Sequence, residues 1–397
     1  MNHPQRFHSL DNLRAIMMWL GIVLHVAVNH TAQQSLLPWH DRETSMVADL
    51  MLAFIHAFRM PVFFILAGFF AAMLVSRRGY GGMFKHRMRR IGLPLLLFWP
   101  LLFAGMGALA MAYVHLMVKG TLGIDESIMP VDPARPLINT MHLWFIYYLL
   151  WFCAVTALMG YVEKYLPDGF KESVSRTWFV LVSRWWGFLV LALPMAAIGL
   201  PYKWGIVVAS GSFIPQFDEF VHNGLFFVAG LYVYQQRDAV LALSSKNAWR
   251  YALAGVALFM IYLVLSEMFR AAEESNRLVR FGLSLMYNFI SWLWSFALIG
   301  IFMRHLPHQN RFLRYVSESS YWVYLVHMLG TIGFGIMLYN MPFNAVTKMG
   351  INILATTCAG IVTYHLLVRY TPISMLLNGH RLSFRSGQKI GKNVSVA

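Results

Sequence analysis

Charge is what this chain has least of. Only 12% of its 397 residues are Asp, Glu, Lys or Arg, while 58% are hydrophobic; a soluble domain carries about 25% charged residues. That balance excludes an ordinary soluble globular protein and implies a polytopic membrane protein. Acids are scarcer still, 17 against 32 Lys and Arg. In a soluble protein such an excess would suggest nucleic acid. Here it reads as basic loops facing anionic headgroups of the lipid bilayer, and no nucleic-acid partner is expected. The two cysteines, Cys153 and Cys358, both fall in apolar runs, where cysteine is a small packing residue rather than half of a disulfide. Walker loop, GxSxG elbow, HExxH pair and cysteine ligand cluster are all missing, which leaves hydrolase, NTPase and zinc-protease readings without support. The 15 histidines are scattered rather than spaced as ligands, so no metal is expected. No stretch has the composition of a soluble domain: the longest polar segments, 119–140 and 163–186, are loop-sized. Residues 1–397 are expected to form one integral-membrane domain with a short basic cytoplasmic tail at 370–397.

What the chain does have is apolar runs of spanning length. They fall at 15–34, 47–75, 91–118, 141–162, 187–207, 220–236, 250–268, 281–303, 316–338 and 349–369, each near the ~20 residues a bilayer requires. The fold class predicted is therefore all-α, a membrane helical bundle of about ten transmembrane helices. Lys and Arg divide unevenly between the two sets of loops, 23 on the side of both termini and 8 on the other, with Arg59 inside a run. The positive-inside rule then places both termini in the cytoplasm.

Asp11 and Arg14 precede the first run and His25 lies inside it. As a helix, the eleven residues from Arg14 to His25 make about three turns and rise ~16 Å, so both side chains share a face with Asp11 close to the same line. Arg14 is expected at a membrane surface and His25 near the middle. An ionisable group at that depth faces a protein or water-filled interior and marks function by default, although a buried histidine satisfied by a neighbouring helix is the plainer alternative.

Further candidates follow along the chain. His56 and Arg59 stand one turn apart at mid-depth of the second run; a buried arginine needs an anion or a carbonyl, so a clamp between helices and a functional group are both open. Arg87 and Arg90 share a face at the level of Arg14. Alone they are topology signal; beside Arg14 they form a level of guanidiniums suited to phosphate. In the ninth run His327 is expected at mid-depth with Tyr324 one turn below. His142 opens the fourth run among belt aromatics and reads as an ordinary interface histidine, with a contact to the acceptor as the alternative.

Together, Leu10-Asp11-x-Leu13-Arg14-Ala15, the Arg14 to His25 spacing, Arg87-x-x-Arg90 before Pro94, and Ser320-Tyr321-x-x-Tyr324-Leu325-x-His327 resemble the integral-membrane acyltransferase-3 family. Phe54-Ile55-His56-x-Phe58-Arg59-Met60-Pro61-x-Phe63-Phe64 with Gly68-Phe69 is similar to its branch of osmoregulated periplasmic glucan succinyltransferases. The resemblance implies a ten-helix enzyme of the bacterial inner membrane, moving an acetyl- or succinyl-type group from cytoplasmic acyl-CoA to a hydroxyl of an extracytoplasmic carbohydrate. It implies His25 as catalytic base, Arg14 as its helix-mate near the acyl donor, and Arg87 and Arg90 as ligands of the donor phosphates. Asp11, His56, Arg59, Tyr324 and His327 would line the site. Many family members carry a fused periplasmic domain, for which this chain has no length, so an acyltransferase-only enzyme is implied. The rival class is a secondary transporter using mid-membrane His and Arg for anion or proton coupling, against which the lack of an inverted repeat counts.

Overall fold

The ten apolar runs each fall on a helix in the computed structural model, which describes residues 7–33, 37–129, 136–271 and 276–379 and the backbone of the short strands Arg381–Leu382 and Lys389–Ile390. Of the basic tail expected at 370–397, residues 370–379 are described and include a short helix, and most of the remainder lies outside the described residues. The helices are α1 (His8–Val28), α2 (Met46–Arg87), α3 (Leu93–Lys119), α4 (Trp144–Val162), α5 (Asp168–Ser183), α6 (Trp185–Gly199), α7 (Phe217–Gln235), α8 (Arg237–Met268), α9 (Arg277–His305), α10 (Arg311–Leu338), α11 (Ala345–Thr363) and α12 (Pro372–Leu377). The architecture is an all-α bundle with apolar side chains such as Leu96, Leu101, Leu253 and Leu354 turned outward, as a lipid-facing surface requires. Among the described residues, seven helical stretches are long and apolar enough to cross a membrane, counting the 74 residues of Met46–Lys119 once, and eight if the bent pair α5–α6 forms one span.

Three local features differ from the sequence expectation. Helix α1 begins at His8 rather than near residue 15 and ends at Val28, because Leu10 and Leu13 already pack in the core. His25 therefore stands in the last turn of α1 instead of at its centre. Secondly, α2 breaks at Gly79, whose φ of 70° is open to glycine, and its continuation joins α3 through a π-helical turn, Met88–Gly92. Such turns shift side chains around a helix and recur at functional sites. Thirdly, the polar stretch 163–186 contains α5, which meets α6 at 106°; its polarity fits a helix buried on little of its surface, with Val182 its one fully buried residue.

Helix α1 packs against α2, α9, α10 and α11. Helix α2 crosses α7 at backbone contact: a Cβ on Gly68 would fall on the carbonyl of Phe227, and one on Gly230 on the carbonyl of Ile65. Small residues allow this approach where no hydrophobic effect drives helices together. Past α1, the chain folds back over the bundle end. Asp41 is held there by Lys348 of α11 at 2.9 Å, both 1% exposed, and the same ammonium donates to the carbonyl of Tyr339 at 2.9 Å.

Candidate active site

Along one face of α1, Arg14, Gly21 and His25 follow one another at helical spacing. Arg14 pairs with Asp11 at 3.2 Å and lies 5.2 Å from the centre of the Phe70 ring. Arg87 stands near enough for the two guanidiniums to repel, and its Nε is buried with no hydrogen bond of its own. Arg90, on the π-helical turn, reaches instead to the end of α12, donating to the carbonyls of Met375 at 2.6 Å and Leu376 at 3.3 Å. Of the three arginines expected at one level, the structure gathers Arg14 and Arg87 and commits Arg90 to a helix terminus, a partner that suits a cation.

At the other end of that face, His25 meets the residues expected from the ninth run. Its ring centre lies 5.2 Å from that of His327, which in turn lies 5.3 Å from His142 and 6.0 Å from Tyr324. The tautomers of two rings follow from their partners, since a backbone carbonyl can only accept. His327 donates from Nδ1 to the carbonyl of Tyr324 at 2.8 Å, and its Nε2 carries a buried lone pair without a partner. His142 donates from Nε2 to the carbonyl of Leu325 at 3.0 Å and is left with a bare Nδ1. The Tyr324 hydroxyl closes the group by donating to the carbonyl of His142 at 2.8 Å. His25 is half-buried and makes no hydrogen bond among the described residues, so its ring is available to a ligand.

His142 is the member that the sequence placed at the interface in preference to the site. An aromatic-rich helix start resembles an interfacial belt, and nothing in that pattern says that the turn at Met141, with φ of 52°, swings His142 inward to 8% exposure. Arg59 completes the group from α2, 5% exposed, donating from Nε to the carbonyl of Met17 at 3.1 Å. Arg59 thus clamps α1, the structural one of its two readings, and its charge lies close to the histidines.

His56 does not join them. Its Nδ1 shares a hydrogen bond of 2.8 Å with the Tyr287 hydroxyl, next to His222, whose Nε2 donates to Oδ1 of Asn288 at 2.8 Å. His56, His222 and Tyr287, with Trp144, line a cavity of about 30 Å³, room for at least one water. Among the described residues no three His, Cys, Asp or Glu side chains are placed to share a metal ion.

Two lone pairs in fixed tautomers, a half-buried imidazole and a buried guanidinium are groups that can move a proton beside developing negative charge. Comparison with known proteins agrees in class. Residues 7–368 match the acyltransferase-3 model, described as an acyltransferase domain. The chain is 26% identical over 97% of both chains to the glucans biosynthesis protein C of Shigella dysenteriae serotype 1 (strain Sd197). It is 25% identical, again over 97% of both, to the proteins of that name from Escherichia coli O139:H28 and Escherichia coli K12. No solved structure matches. The chain belongs to the acyltransferase-3 family and is an acyltransferase built as an α-helical membrane bundle.

Proposed function

We propose that this acyltransferase takes an acetyl- or succinyl-type group from acyl-CoA at the cytoplasmic face and passes it to a hydroxyl of an extracytoplasmic glucan. The observation that carries the reading is the division along α1, with Arg14 and Arg87 at one end and His25 among His142, His327 and Arg59 at the other. Eleven residues of helix separate the two levels by ~16 Å. A phosphate-bearing donor held at the arginines can extend its thioester along that face toward His25. The relatives' name supports a glucan as the acceptor.

In this scheme His25 accepts the hydroxyl proton as the hydroxyl oxygen attacks the thioester carbonyl. The tetrahedral adduct collapses, the C–S bond breaks, and the departing thiolate takes the proton back from the imidazolium. The neutral ring is the state a general base needs. His327 and His142 are held in fixed tautomers that leave His327 Nε2 and His142 Nδ1 as bare lone pairs. Orientation in the inner membrane follows the Lys and Arg partition, with both termini cytoplasmic.

Purified protein given labelled acyl-CoA and a glucan acceptor is expected to transfer label to carbohydrate and release CoA. Flux of an anion or protons in proteoliposomes without CoA release would replace this reading with the transporter. Reporter fusions after residues 125 and 340 are both expected on the extracytoplasmic side; a cytoplasmic signal from either would overturn the orientation.

A further inference from the structure

Arg59 is a buried cation without an anion. Among the described residues it forms no ion pair, and its one hydrogen bond, Nε to the carbonyl of Met17, leaves both Nη groups uncommitted. Its electrostatic neighbours are the rings of His25, His142, His327 and His56 and the phenol of Tyr324, with the face of Phe63 at 5.8 Å. None of these supplies a carboxylate. A guanidinium cannot shed its proton in a protein, and an unpaired buried charge is retained against a considerable desolvation cost.

The backbone of α1 is cut away to admit it. A Cβ on Gly21 would lie 2.5 Å from Nη2 of Arg59 and 3.5 Å from Nε2 of His327. Gly21 stands one turn from His25 on the same face, so the vacant side-chain position opens a slot that brings the guanidinium head beneath the proposed base.

We propose that the Nη groups of Arg59 hold the oxyanion that forms when the acceptor hydroxyl adds to the thioester carbonyl, an inference that rests on the acyl-CoA reading above. The charges balance at each step. As the hydroxyl oxygen bonds to the carbonyl carbon, the carbonyl π pair moves to oxygen and the hydroxyl proton moves to His25. On collapse that pair re-forms the carbonyl, the C–S pair leaves with sulfur, and the proton passes from the imidazolium to the thiolate. Arg59 keeps its charge throughout. An imidazolium forming alone beside it would be repelled, whereas one forming together with an oxyanion against Nη is compensated. The guanidinium therefore favours the adduct over the resting state, which is the condition for catalysis.

The test measures kcat and KM of the purified full-length protein with acetyl-CoA and with succinyl-CoA, alongside thermal unfolding. Arg59→Gln is expected to lower kcat ~10²–10³-fold, the cost of losing one oxyanion-hole donor, with both thioesters and with KM little changed. Arg59→Lys is expected to lose less. Gly21→Ala keeps Arg59 but displaces its head, and is expected to lower kcat with both thioesters while unfolding near the wild-type temperature. A defect confined to KM for succinyl-CoA would overturn the proposal and make Arg59 the partner of a permanent carboxylate on the acyl chain. Wild-type kcat in a folded Arg59→Gln protein would overturn it too, and if that variant fails to fold, wild-type kcat in Gly21→Ala does so. No turnover of either thioester by the wild-type protein would remove the acyl-CoA reading itself, and this proposal with it.

Discussion

At the scale of single residues, variants of His25 and Arg87 test chemistry and binding separately. His25→Gln keeps a donor and an acceptor but cannot take up a proton, so it and His25→Ala are expected to bind acyl-CoA nearly normally and to lose transfer by ~10²–10⁴-fold; near-normal transfer by His25→Gln would pass the base to His327, whose Nε2 is bare. Arg87→Ala is expected to weaken acyl-CoA binding by ~1–3 kcal/mol, with only partial rescue by lysine, which lacks the fork. Arg90→Ala should behave differently, because its partners are the carbonyls of Met375 and Leu376. Hydrogen exchange at 372–379 should rise in that variant, and unchanged exchange would show the contact to be idle. The sequence already singled out His25, Arg59 and His327, because an ionisable group inside an apolar run stands out, and Arg14 and Arg87 because they fall at one level outside those runs. His142 did not stand out, since its position at a helix start is also where belt aromatics live.

At the scale of elements, the α2–α7 crossing depends on two glycines meeting carbonyls. Gly68→Ala and Gly230→Ala are each expected to cost ~1–3 kcal/mol by forcing the backbones apart, read as a lower unfolding temperature in detergent. Gly107 of α3, with nothing near its vacant Cβ position, is the control, and Gly107→Ala should leave that temperature unchanged or slightly raised. Equal effects at all three positions would show that helix propensity, not the crossing, is being measured. Helix existence was legible from apolar length, yet where α1 starts, that α5 is helical and that a π-helical turn joins α2 to α3 were not. Each of those depends on which neighbouring surface covers the backbone and side chains there.

At the scale of the whole molecule, the segment after α1 is locked over the bundle end through Asp41 and Lys348, which are 307 positions apart. Lys348→Met would leave a buried carboxylate uncompensated and is expected to cost ~3–5 kcal/mol, whereas Asp41→Asn combined with Lys348→Met should recover most of it. Thermal unfolding of the two variants and the wild type checks this; a double variant no better than Lys348→Met would mean that the pair also specifies the path of the chain. The same segment leads from the last turn of α1, where His25 stands, into α2, which carries Arg59. Loosening it should therefore lower transfer as well as stability.

Composition and the length of the apolar runs by themselves determined that this chain is an α-helical membrane bundle. The depth-marking charges determined which of its residues were worth following, because a bilayer penalises charge so heavily that its position is informative without coordinates. Only the tertiary structure decided which of those residues meet. Arg90 turned to α12 and His56 to Tyr287, while His142 and His327 came together through carbonyls of α10. Such pairings depend on helix rotation and on approach distances of a few ångströms, set by positions such as Gly21 and Gly68 where a side chain is missing. A one-dimensional pattern records the face of a helix, but not the partner that face will find.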